Sequence, residues 1–246
     1  MQLKEEGKIK ELRAKYPILY HITGEEIGQI EPSKVKNEEG VVRPLLDTCN
    51  DPVVDERGNP RDAIFATASG INREFYALRD SSQDINWAMQ DPVSKKRIFI
   101  FDKIRSKYWE YPLSSQDFVP IVPSKTDGNR IEGEYNEHDG EWISVSGNPI
   151  RVDKQIPKDT KEILKETEAM VFTITPEGKE FFKEHFLKDE NWDMPSVKKA
   201  LEKRGLKKWV ANGWLKFENP TEAASIFQEH GAKEVPNFLK NLAKTR

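Results

Sequence analysis

The sequence has a single cysteine, Cys49, in 246 residues. One thiol forms no internal disulfide and supports neither a multi-cysteine zinc site nor an iron–sulfur cluster, and it fits a reducing compartment. Histidine is scarce as well: His21, His138, His185 and His230 stand far apart, without the spacing of metal ligands. No apolar run approaches the ~18 to 20 residues of a membrane span. The segment Met1 to Arg13, full of Lys and Glu, lacks the apolar stretch of a signal peptide. Several motifs are also missing. There is no Gly-rich phosphate loop ending in Lys-Ser/Thr, no GxGxxG, no GxSxG and no HExxH, which removes the common kinase, nucleotide-hydrolase, dehydrogenase, hydrolase and zinc-protease readings. No internal repeat or low-complexity tract is present.

What is there is a wet chain: 36% hydrophobic against 33% charged residues, with a mean hydropathy of −0.75. Such a chain buries one good core or two small ones. The net charge of −3 hides an asymmetry. Residues 188–246 hold 12 Lys/Arg against 8 Asp/Glu, whereas residues 1–187 hold 27 against 34. The tail is a basic appendage on an acidic body.

Residues 2–15 read as a charged helix with a weak stripe of Leu3, Ile9 and Leu12, ended at Tyr16-Pro17 because a proline pushes its predecessor out of helical geometry. Ile18 to Thr23 follows as a strand of bulky and β-branched residues. From Gly24 to Pro60 the chain is polar and punctuated by proline, a long loop-rich excursion. A second strand, Ala63 to Thr67, leads through Ser69, an N-cap candidate, into a helix from about Ile71 to Leu78. Strands are predicted at Arg97 to Asp102, Tyr108 to Leu113, Val119 to Val122 and Glu141 to Val145, with Lys125 to Gly140 as an exposed loop. These strands lie too close in sequence for crossover helices, so the expected fold class is α+β with a mainly antiparallel sheet. Helical patterns at 159–168, 176–187, 195–204 and 221–230, and another opened by Pro236, make the part after 150 helical. The expected organisation is an N-terminal helix over 1–17, a domain over 18–150 and a helical region over 151–246, basic from about 188.

A few positions remain on which chemistry can rest. His21 lies within the apolar strand Leu19-Tyr20-His21-Ile22-Thr23; Phe65 and Tyr76 stand eleven residues apart across a strand, a turn and a helix; Glu141 heads the strand Glu141-Trp142-Ile143-Ser144. Singly, each has an ordinary structural explanation: a satisfied strand histidine, core aromatics, a solvated acid at a strand edge.

Their conjunction and order resemble the ADP-ribosyltransferase family, in the branch of diphtheria toxin and the poly-ADP-ribose polymerases. Tyr20-His21-Ile22-Thr23 is similar to that branch's Tyr-His-Gly-Thr strand, with Ile22 where the family has Gly. Ile64-Phe65-Ala66-Thr67 followed by Tyr76 is similar to its aromatic-Ser/Ala-Thr turn and second aromatic, with Phe65 in place of Tyr. Glu141-Trp142-Ile143-Ser144 is similar to the segment of its catalytic glutamate, so the resemblance spans roughly residues 18 to 146. The other branch of that fold uses a first-strand Arg, a Ser-Thr-Ser strand and a Glu-x-Glu turn. Glu132-Gly133-Glu134 matches only the last of these and reads as a solvated loop. The related tRNA 2'-phosphotransferases have an Arg-His pair where this chain has Tyr20-His21.

The resemblance implies a split, mainly antiparallel ADP-ribosyltransferase sheet and NAD as a substrate, with no metal. Breaking the nicotinamide–ribose bond develops positive charge on the ribose, which a fixed carboxylate stabilises. Glu141 is implied in that role, with His21 as the other catalytic candidate, held to the adenosine ribose. Phe65 and Tyr76 would sandwich the nicotinamide, while Ile22, Thr23 and Thr67 bind the cofactor beside them and Arg43 reaches its phosphates. ADP-ribose would pass to a macromolecular acceptor, either protein or RNA or DNA. The setting is cytoplasmic, or that of a toxin or effector delivered without a classical signal peptide, with an antitoxin or chaperone as a partner. Two other readings stay open: a catalytically idle module that binds ADP-ribose or a partner, and a nucleic-acid-binding protein. The second rests on Lys198, Lys199, Lys203, Arg204, Lys207 and Lys208, interleaved with Trp192, Trp209 and Trp214. Such residues meet phosphates and stack on bases, or else form an ordinary amphipathic helix over a small core.

Overall fold

Tyr16 donates its backbone N–H to the Leu12 carbonyl at 2.8 Å and Pro17 follows, so the first helix closes where the first strand begins. The structure, a computed structural model, describes residues 5–38, 41–47, 51–55, 57–68, 70–80, 86–90, 97–126, 130–137, 139–186, 210 and 212–219. In chain order the elements are α1 Glu6–Lys15, β1 Ile18–Thr23, β2 Gln29–Ile30, β3 Lys36–Glu38, β4 Val41–Arg43, β5 Phe65–Thr67, α2 Ile71–Leu78, β6 Asn86–Gln90, β7 Arg97–Phe101 and β8 Lys107–Ser114. After a 3-10 turn at Ser115–Asp117 come β9 Phe118–Pro120, β10 Glu141–Ser144, β11 Ile150–Arg151, β12 Ile156–Asp159, α3 Thr160–Glu166, β13 Met170–Ile174, α4 Pro176–Phe186 and β14 Leu215–Phe217. Among the described residues no helix is long and apolar enough to cross a membrane.

The chain folds as two units: Met1–Ala77 with Lys107–Lys158, and Leu78–Ser106 with Asp159–Arg246. This differs from a continuous domain over 18–150, because residues 78–106 leave the first unit and form half of the second unit's sheet. The first unit carries a six-stranded sheet in the order β12-β8-β1-β5-β10-β9. The registers that join β8, β1, β5, β10 and β9 are all antiparallel. One cluster of buried side chains joins Leu19, Ile64, Ala66, Tyr111, Leu113, Phe118 and Trp142. Another joins Val53, Ala63, Ile121 and Ile143, with Phe65 against it. Alternation along the strands sends these two sets to opposite faces. The sheet is therefore covered on both sides.

The excursion from Gly24 to Pro60 holds short pairings rather than bare loop: β3 with β4, and β2 with β11. The expected exposed loop before Gly140 is also corrected. Asp139 and Gly140 are buried, and Tyr135 is partly buried, its hydroxyl accepting the Trp142 Nε1–H at 2.8 Å. Glu137 takes hydrogen bonds from Lys15 and Tyr16 at the end of α1, which ties the loop down.

In the second unit the sheet runs β14-β13-β7-β6, with β13 parallel to β7 and the other neighbours antiparallel. The expectation of a helical region after 150 is thus corrected by β13 and β14, which stand beside α3 and α4 in the chain order. Met170-Val171-Phe172-Thr173-Ile174 is a near-continuous apolar run, the signature of a strand buried beside a parallel neighbour. Asn219 closes this sheet: its side chain accepts from the Val171 N–H at 3.0 Å and donates to the Ala169 carbonyl at 2.8 Å. Helix α4 starts at Pro176, a residue suited to a first helical position, with Thr175 Oγ1 accepting from the Gly178 N–H at 3.0 Å. The expected helices at 195–204, 221–230 and from Pro236, and the Ser69 cap, lie outside the described residues.

Candidate functional site

The three strands that carry the candidate residues are consecutive neighbours, β1-β5-β10. Thr67 pairs with Tyr20 on one side and with Glu141 on the other. Residues directly opposite in a sheet share a face, so Tyr20, Thr67 and Glu141 form one row across three strands. Glu141 is 3% exposed and every residue of β10 is buried, which removes the picture of a solvated acid at a strand edge. Its backbone is fixed from both directions. Gly140, in the left-handed region at φ 68°, gives its carbonyl to the Ala68 N–H at 2.9 Å, and the Glu141 carbonyl accepts from the Ile121 N–H at 3.1 Å. One residue earlier, Asp139 is held by Arg130 Nε at 2.6 Å and by the Asn136 amide at 3.2 Å. Glu132 and Glu134 lie exposed in the turn beyond, as expected.

Strands β1 and β5 share one register pair, Tyr20↔Thr67, and their ladder ends there although both strands continue. Beyond it the His21 ring takes over the bridging, with Nδ1 2.8 Å from the Phe65 carbonyl. A carbonyl only accepts, so Nδ1 carries the proton, and neutral His21 presents Nε2 as an acceptor. Burial lowers the His21 pKa, and the Phe65 hydrogen bond offsets this in part. Alternation places His21 in the row of Leu19, opposite in parity to Glu141, so the two are brought to one parting of the sheet but not to one face.

The other expected residues are dispersed around this parting. Ile22 pairs with Glu110 on β8, and the Thr23 hydroxyl is committed to the Glu25 carbonyl. Phe65 packs against the cluster of Val53, Ala63, Ile121 and Ile143. Tyr76 is on α2, edge-on to Phe75 with ring centroids 6.0 Å apart. Arg43 is exposed on the small β3–β4 ribbon, opposite Lys36. Thr67 Oγ1 is buried and has no hydrogen-bond partner among the described residues.

One group escaped the sequence reading. Arg73 on α2 donates from Nε and Nη2 to Glu110 Oε1 at 2.9 and 2.7 Å, and its guanidinium lies 4.6 Å from the centre of the Tyr20 ring. Glu110 is 1% exposed, whereas the Arg73 side chain keeps 33% of its surface. The available signal was a lone acid in the aromatic strand Tyr108-Trp109-Glu110-Tyr111, and an arginine one helical turn before Tyr76.

Among the described residues no group of His, Cys, Asp and Glu is arranged to hold a metal ion. The basic run at 198–208 lies outside the described residues, whereas Trp214, partly buried, stacks on Phe181 with ring centroids 3.6 Å apart. Comparison with family models, with curated proteins and with solved structures finds no match.

Proposed function

We propose that this chain is an NAD-dependent mono-ADP-ribosyltransferase of the His-aromatic-Glu type, and that its six-stranded sheet is the core of an ADP-ribosyltransferase fold. The observation that carries the reading is the adjacency of β1, β5 and β10. Residues 120 positions apart in sequence, His21 and Glu141, come to either side of the strand that bears Phe65 and Thr67. A dinucleotide entering the parting where the β1–β5 ladder ends would meet Glu141 on one face and His21 on the other.

Each residue then has a physical task. The Glu141 carboxylate, fixed at the head of a buried strand, accepts a hydrogen bond from a hydroxyl of the nicotinamide ribose and stabilises the oxocarbenium-like charge as the C–N bond breaks. The bonding pair leaves with nicotinamide, which departs neutral, and the acceptor nucleophile bonds to the ribose carbon and gives up its proton. The neutral His21 accepts a hydrogen bond at Nε2 from a hydroxyl of the adenosine ribose, and the Phe65 carbonyl sets its tautomer. Phe65 and Tyr76 offer ring faces to the cationic nicotinamide, an attraction of about 0.5 to 2 kcal/mol. Ile22 in place of Gly leaves the backbone N–H and C=O of that position able to meet the carboxamide.

The test is NAD consumption by Glu141→Gln, which keeps shape and hydrogen bonding but removes the charge. Turnover is expected to fall about 100-fold or more, the scale of one lost electrostatic contact to a transition state. NAD binding and the unfolding midpoint should stay near those of the parent. Unchanged turnover would sink the assignment.

A further inference from the structure

We infer that Arg73 is the cation that receives the diphosphate of the bound dinucleotide, presented for that purpose by Glu110 and Tyr20; this rests on the NAD reading of the same site. Three observations lead to it. The first is the face. Tyr20 shares a row with Thr67 and Glu141, and Glu110, opposite Ile22, lies on the same face by alternation, so a guanidinium touching both Tyr20 and Glu110 stands over the Glu141 side of the sheet. The second is distance. Tyr20 and Glu141 are separated by one intervening strand, so two strand spacings put Arg73 about 10 Å from the scissile bond, measured along the sheet. In a dinucleotide the diphosphate lies one ribose beyond that bond.

The third is orientation. Both contacts to Glu110 use one edge of the guanidinium, Nε and Nη2, on a single carboxylate oxygen. Among the described residues Nη1 meets no acceptor, and a third of the side chain remains exposed. The outward edge, Nη1 with the second N–H of Nη2, is the bidentate fork that fits two phosphate oxygens. Stacking on Tyr20 and pairing with a nearly fully buried carboxylate already restrict the long side chain, so little rotamer entropy is left to lose when an anion arrives. Arg43, the phosphate candidate read from the sequence, sits exposed on a two-stranded ribbon, opposite Lys36. A plain structural staple between α2 and β8 would share the Glu110 contact but would not need an exposed fork.

The experiment is calorimetric titration of the full chain, as parent, Arg73→Gln and Arg73→Lys, with ADP, adenosine and inorganic pyrophosphate as probes. Arg73→Gln is expected to weaken ADP and pyrophosphate about 10- to 100-fold, the range for losing charge-assisted hydrogen bonds, and to leave adenosine unchanged. Arg73→Lys keeps the charge and loses the fork, so it should fall between. Equal weakening of ADP and adenosine would mark Arg73 as a staple and overturn the inference, as would unchanged ADP binding or a parent that binds neither ADP nor pyrophosphate. If Arg73→Gln does not fold, Arg73→Lys decides: a loss of about tenfold for ADP and pyrophosphate but not adenosine supports the assignment, and no loss ends it. The two readings separate cleanly, because phosphate-selective binding through Arg73 with no NAD consumption by the parent overturns the transferase and leaves the phosphate site standing.

Discussion

His21 gives its Nδ1 proton to the carbonyl of Phe65 at 2.8 Å, across the point where two neighbouring strands stop pairing. Burial holds the imidazole neutral and lowers its pKa below the ordinary value of about 6.5, with the Phe65 bond as a partial offset. A folded pKa below the unfolded one means that the unfolded chain binds more protons in this range. The stabilisation is therefore complete above about pH 6.5 and is lost as pH falls through the folded pKa. In urea titrations, the midpoint of the parent should drop between pH 7 and pH 5 more than that of His21→Asn, whose amide can still donate to Phe65. Parallel pH dependences would contradict a neutral, buried His21.

Thr67 offers a test that separates folding from ligand contact. Its hydroxyl is buried without a partner among the described residues, so Thr67→Val, nearly the same shape, removes an unpaid desolvation cost. The thermal midpoint is expected to stay or to rise, and a clear fall would show that the hydroxyl is satisfied in solution. A drop in NAD turnover without loss of stability would place Thr67 against the substrate.

Ser144 ends the strand that Glu141 begins, and its hydroxyl accepts from the Ile64 N–H at 2.9 Å while donating to the Ser146 carbonyl at 2.6 Å. The residue is 2% exposed, so Ser144→Ala strands a buried N–H. The expected cost is about 1 to 3 kcal/mol in unfolding free energy. A change within a few tenths would mean that water replaces the hydroxyl.

Gly178 sits inside α4, where alanine is intrinsically better by about 1 kcal/mol. A Cβ there would run into the Trp214 backbone carbonyl, however, and backbone does not yield cheaply. Overpacking costs of about 1 to 3 kcal/mol outweigh the propensity gain, so Gly178→Ala should lower the melting temperature. A rise would place the Trp214 backbone farther from the helix than the structure has it.

Much of this architecture is legible along the chain wherever the signal is local. Ile18 to Thr23 and Ile71 to Leu78 are read with the bounds the structure has, because Pro17 fixes a start and the residue types agree with the element. The head of β10 is also readable, since Glu141 interrupts an apolar word at its first letter. Partners in space are not readable. Glu110 and Arg73 lie 37 residues apart, and nothing in either segment names the other. The strand Met170 to Ile174 is masked by helical patterns on both flanks, and its status depends on β7, whose register begins at Ile98. The burial of Asp139 depends on Arg130 and Asn136, polar residues in a stretch whose composition reads as surface.

The interleaving of the two units bears on how the chain is made. β1 emerges early in synthesis but waits for Lys107–Ser114, and the strand of Glu141 arrives later still. β7 then waits for β13, about 70 residues downstream, while elongation proceeds at roughly 5 to 20 residues per second. The first hundred residues thus spend seconds with apolar strands exposed, and a chain terminated near residue 150 would carry β7 without its parallel neighbour. Expression of the first unit alone therefore calls for removing the 78–106 excursion and joining its ends, rather than cutting the chain once.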